Sequence, residues 1–158
     1  MAIPVLTVPD KELVLLWLID MLSSKLPTGQ KCGNHRAEPV YDTNQKVIFP
    51  FLVAHMVPGG SQSGPPLGAA QADATYVFQV DSVAMDPGTA LAMSSRVNHW
   101  VAGRTAAGVY AVVTDDPDGI RISDRIGSGS PGAPLLEGSP PTEVYTVSDL
   151  FEISVSVS

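Results

Sequence analysis

The sequence has one cysteine, few charges and no long apolar run. A lone Cys32 excludes an internal disulfide framework. Charged residues are 16% of the 158-residue chain, below the usual ~25%. A surface this poor in charge is covered by small polar residues, Gly, Pro and Ala, or by a partner subunit. Basic residues are scarce, nine Lys and Arg against sixteen Asp and Glu, for a net charge of −7. They are scattered singly from Lys11 to Arg125, which argues against tight binding of nucleic acid or an anionic membrane. The longest apolar run, Leu13 to Ile19, is far short of a bilayer span. The segment Met1 to Pro9 has no basic n-region, so no secretory leader is expected and an intracellular protein is the default. What remains is 44% hydrophobic residues, enough for one domain over 1–158.

Gly and Pro punctuate the chain in three stretches, Pro58 to Gly68, Asp116 to Gly119 and Gly127 to Pro141. Flexible loops are expected at about 58–72 and 127–141. A first helix is predicted from a Thr7 N-cap, with Pro9 in its first turn, to about Leu26, ended by Pro27 and Gly29. Val14, Leu18, Met21, Leu22 and Leu26 form one face, and Leu15, Leu16, Trp17 and Ile19 widen it beyond a stripe. A helix apolar over more than half its circumference sits deep in a domain or packs on two bodies at once. Leu15, Leu16, Trp17 and Ile19 are therefore candidate subunit-interface residues.

Lys46 to Val57 reads as a strand that starts after Pro50 or bulges there, and Thr75 to Met85 as its hairpin partner. The tip between them carries Gly59, Gly60, Ser61, Gln62, Ser63 and Gly64, a candidate docking loop. A further short strand is possible around Ala37 to Tyr41. Asp86 followed by Pro87 starts a second helix, with Leu91, Met93, Val97, Trp100 and Val101 as its apolar face and Gly103 as a left-handed C′ residue. Val109 to Thr114 reads as a strand closed by the turn DDPDG. In the tail, Phe151, Ile153, Val155 and Val157 alternate with Glu152, Ser154, Ser156 and Ser158, a strand with one wet face. The expected fold is α+β, in the order α-β-β-α-β-β, with a mostly antiparallel four- to five-stranded sheet packed against two helices.

Reactive chemistry is not indicated, and the chain is expected to be neither an enzyme nor a cofactor binder. Cys32 and His35 have half a zinc-site spacing, but the second half is missing; a loop cysteine beside a surface histidine is the simpler reading. His55 reads as a hydrogen-bonded strand residue, and His99 as a helix-end residue suited to the dipole. The acidic turn Asp115, Asp116, Asp118 fails the calcium-loop pattern, because the twelfth place from Asp115 is Ile126. PGGSQSGPP lacks the spacing and lysine of a phosphate cradle. Asp81 and Asp86 are separated between a strand and a cap, so a catalytic pair is not expected.

Four segments nonetheless form a pattern: VPDKELVLLWLIDMLSSKLP, FPFLVAHMVPGG, ATYVFQVDSVAMDPGTALAMSSRVNHWVAG (with Arg96 in its helix) and FEISVSV. In this order the chain resembles the tail terminator (tail completion) proteins of long-tailed siphophages, of the type found in actinobacteriophages. The likeness spans about residues 8–157 and departs at Gly127 to Pro141, which is longer than the pattern needs. The resemblance implies a structural virion protein of the neck: a homo-oligomeric, six-membered ring that caps the tail tube and ends its polymerisation. Its implied partners are the tail tube protein and a head-side connector or stopper protein, and DNA would pass through the lumen without specific binding. A connector or stopper subunit of the same neck is the alternative. The greasy helix would supply the subunit contact and the Gly-rich loop the docking contact.

Overall fold

The computed structural model describes residues 8–63, 73–127, 133–138 and 143–157. The fold is α+β, with two helices over a mostly antiparallel sheet. Helix α1 spans Lys11–Lys25. Its N-cap is Asp10, whose carboxylate accepts the Glu12 amide at 2.8 Å, so Pro9 precedes the cap; Thr7 lies outside the described residues. The helix stops where the Leu26 amide turns back to the Ser23 carbonyl and Pro27 follows. Val14, Leu15, Leu18 and Leu22 are fully buried, each contributing ~1.5–3 kcal/mol of burial relative to exposure.

Short strands follow: β1 (Gly33–Asn34), β2 (Val40–Tyr41) and β3 (Val47–Ile48). β2 and β3 form a separate hairpin around a turn held by Asp42, whose Oδ1 accepts the Asn44 and Lys46 amides. The long strand expected from Lys46 is thus divided at Pro50, and β4 occupies Phe51–Met56. β5 (Ser61–Ser63) continues the same edge after a bulge at Gly59 and Gly60, and both β4 and β5 pair antiparallel with β6 (Asp73–Ala84). Gly60 has φ +89°, and a Cβ there would lie 1.9 Å from the Thr75 carbonyl oxygen, so only glycine fits.

Helix α2 runs Pro87–Ala102 with Asp86 as N-cap, accepting the Thr89 amide at 2.8 Å. Ala90, Met93, Ser94, Val97 and Val101 face the core, whereas Leu91 is exposed and Trp100 half-buried. Gly103 is not left-handed, since its φ is −63°. It is required by crowding instead: a Cβ would meet the His99 carbonyl oxygen at 2.4 Å.

The strand expected at Val109–Thr114 is a loop, whose ladder pairing is limited to an isolated bridge between Arg104 and Tyr110. The strand of this region is β7, Ile120–Gly127, with a bulge between Ile122 and Asp124. Its alternating charges suit an edge position. β8 (Leu135–Glu137) lies inside the segment expected to be a flexible loop and pairs with β9, Val144–Val157. The sheet order is β1-β4-β6-β9-β7, with β5 beside β6 and β8 beside β9. β1 and β4 are parallel, so the sheet is mixed and its strands outnumber the simple α-β-β-α-β-β order. β6 and β9 pair over twelve residues from Asp73↔Ser156 to Ala84↔Tyr145. Phe78, Val80, Phe151, Ile153 and Val155 point from them into the core beneath α1 and α2.

Candidate assembly surfaces

The α1 surface is narrower than its sequence implies. Leu15, Trp17 and Ile19 are buried in the chain's own core, so three of the four expected interface residues are unavailable to a neighbour. Leu16, at 40% exposure, remains open, and Leu13, one turn earlier, is open at 41%. Trp17 is held by its indole N–H, which donates to the Asp115 carbonyl at 3.0 Å. Its ring also stacks on the Arg125 guanidinium, 5.1 Å away. A long side chain from β7 therefore covers the flank of α1 that hydropathy alone marks as sticky.

Arg125 is the centre of a polar cluster. Its guanidinium also lies over the Tyr110 ring, 4.2 Å from the centroid, and Arg125 Nη1 donates to the Val112 carbonyl at 3.0 Å. The Tyr110 hydroxyl donates to Asp124 and accepts the Arg125 amide, while Arg104 Nη2 donates to Asp124 at 2.9 Å. The Tyr110 bond, with the Arg125 amide and Arg104, holds the Asp124 carboxyl below the usual range despite partial desolvation. Burial, and then the Asp124 carboxylate, pushes the Tyr110 hydroxyl up. A second cluster joins α2 to β9: Ser94 Oγ and Asn98 Nδ2 donate to buried Asp149 at 2.6 and 2.9 Å. These clusters position the helices and loop; Arg125, Ser94 and Asp149 are buried within them, whereas Arg104 is exposed.

The uncovered sheet face carries a third cluster. His55 Nε2 lies 3.0 Å from Asp81 Oδ2, and Asp81 Oδ1 accepts from Gln79 Nε2 at 2.8 Å and Ser148 Oγ at 2.6 Å. His35 meets His55 edge-on with ring centroids 5.8 Å apart. A hydrolytic relay needs histidine between serine and carboxylate. Here the carboxylate lies between serine and histidine, so the Ser148 proton has no path to the imidazole. Sequence reasoning placed His55 in a hydrogen bond but did not pair it with Asp81. The register supplies that pairing, since Val53, Asp81 and Ser148 are aligned across three strands.

Cys32 is not a surface loop residue. It is 3% exposed, and burial pushes its thiol up to about 12. That disfavours the thiolate a metal needs. Among the described residues no group of three His, Cys, Asp or Glu could hold a metal ion. No described helix is long and apolar enough to cross a membrane.

Of the expected docking loop, Gly59 and Gly60 form the bulge, and Ser61, Gln62 and Ser63 form β5. Those three residues are sheet, not a free tip, because their backbone pairs with Asp73, Ala74 and Thr75. Gly64 lies outside the described residues. No protein-family model matches the chain, and no curated protein matches it.

Proposed function

We propose that the chain is a structural component of the neck of a long-tailed phage virion. In this reading it forms a ring that caps the tail tube, ends tube polymerisation and joins the tail to the head-side connector. It works by shape and self-association, with no chemical step. The resemblance of its four sequence segments to tail terminators motivates the reading. The observation that carries it is the pair of open leucines on α1, Leu13 and Leu16, together with Val109 and Val113 in the loop before β7. Apolar side chains left open on two separate elements suit a head-to-tail contact, in which each copy offers two different patches. The low charge of the chain fits the same arrangement.

The test is assembly with purified tail tube protein. Tubes polymerised with the chain present should end early and carry extra density at one end in negative-stain images. Tubes of unchanged length with bare ends would remove the terminator reading. If the chain instead bound only the portal-adaptor complex, it would be a connector or stopper subunit.

A further inference from the structure

A groove of about 640 Å³ opens where α1 ends, β4 begins and α2 passes. Leu26, Phe49, Met93 and Trp100 supply apolar walls, and its charged lining residues are Lys25 and Arg96. Neither of these cations forms an ion pair among the described residues. Asp86 borders the adjoining cleft with Arg96, but its carboxylate is occupied by the Thr89 amide and hydroxyl. Two cations outside any ion pair on an apolar groove are conspicuous in a chain with sixteen acids and nine bases. They fit an occupant that combines an apolar side chain with carboxylates.

The chain itself presents such a segment. Val113 is 84% exposed, the most open large apolar side chain among the described residues, and the exposed Asp115, Asp116 and Asp118 follow it. The segment is pre-shaped: the Asp115 carbonyl accepts from Trp17, and the Ile120 amide donates to the Pro117 carbonyl at 3.1 Å. Pre-shaping lowers the ordering cost of a contact. The segment leads into β7, whereas the groove lies beside the start of β4, and β6 and β9 separate these two strands in the sheet.

We propose that the groove receives the Val113–Asp118 segment of a second copy, with Val113 in the apolar part and the carboxylates facing Lys25 and Arg96. Donor and acceptor are different surfaces, so the contact is heterologous and each copy keeps one of each to offer. Closure into a ring rests on the neck reading given above; the pairwise contact does not.

Two charge-reversed proteins test it: Lys25→Glu with Arg96→Glu in the groove, and Asp115→Lys with Asp118→Lys in the segment. Asp116 is left in place because its charge acts on Arg125. Circular dichroism first establishes that each variant is folded. Sedimentation velocity at up to about 1 mM chain should then show wild-type self-association that weakens with added salt. Each variant alone should associate about tenfold or more weakly. An equimolar mixture of the two should recover association, because every groove then meets a segment of opposite sign. A wild-type chain that stays monomeric throughout, variants that associate like wild type, or a mixture that fails to recover would each overturn the contact. Charge-dependent association without tube capping keeps the contact and removes the neck reading. Capping that survives the groove variant does the reverse.

Discussion

Cys32 and Tyr110 show how burial changes the chemistry of single side chains. The Cys32 thiol, pushed up to about 12, is protonated at neutral pH and shielded by packing. Folded protein at pH 8 should therefore resist Ellman's reagent, and react only after denaturant is added; prompt labelling of the native chain would contradict the burial. The unfolded thiol ionises near its ordinary value of 9.0, before the folded one, so the unfolded state binds fewer protons above that pH. Stability from this group is complete below about 9 and falls as pH rises toward 12. Asp124 acts in the opposite direction. Its carboxyl is lowered chiefly by the Tyr110 hydroxyl, so its contribution is present above the ordinary carboxylate range and lost as pH falls through its folded value. Tyr110→Phe removes the hydroxyl that joins Asp124, Arg104 and the Arg125 amide. Urea unfolding should show a loss of about 1–3 kcal/mol, since a partly buried amide and a carboxylate lose a shared partner. The same variant should flatten the acid limb of the stability profile.

Helix α1 and the β4–β5 edge are where local pattern and packing part company. Leu15→Asp places a carboxylate in a fully buried position, a cost comparable with the whole ~5–15 kcal/mol of a domain's stability. Little soluble folded protein should be recovered. Leu16→Asp, one residue on, meets solvent and should leave the far-ultraviolet spectrum and melting temperature within a few degrees of wild type. Equal damage from both would mean that α1 is enclosed all round. At the bulge, Gly60→Ala forces a Cβ against the Thr75 carbonyl at positive φ. A loss of about 1–3 kcal/mol in chemical denaturation is expected. α2 illustrates the same division. Asp86–Pro87 fixes its start from sequence alone, because the cap is local chemistry. Its inward face is less legible: Ser94 points inward because Asp149 on β9 accepts its hydrogen bond, and Leu91 points outward.

Across the whole molecule, the twelve-residue pairing of β6 with β9 is the spine, flanked by β4 and β7. Amide hydrogen exchange should be slowest in the middle of these two strands, where both edges are paired and the core side is buried. It should be fastest in the β2–β3 hairpin, which stands outside the main sheet. Rapid exchange at Phe78 and Phe151 would be incompatible with a sheet centred on them. The same architecture decides which surfaces remain for partners. Arg125 closes the flank of α1, β5 ties Ser61–Ser63 into the sheet, and Leu13, Leu16 and Val113 are among the apolar side chains left open.

The sequence by itself determined what depends on near neighbours. The two helices, the hairpin through β4 and β6, the interruption at Pro50 and the alternation of the last strand follow from caps, missing amides and a period of two. Only the tertiary structure decided the rest. VYAVVT has strand composition but stays a loop, because Tyr110 stacks on Arg104 and Arg125 instead of extending a ladder. IRISDRIG, with four charged or hydroxyl side chains, becomes β7, because β9 offers it an unpaired edge. That Trp17 on α1 is covered and not open was likewise set by a guanidinium more than a hundred residues away, and contacts of that range leave no periodic trace in the chain.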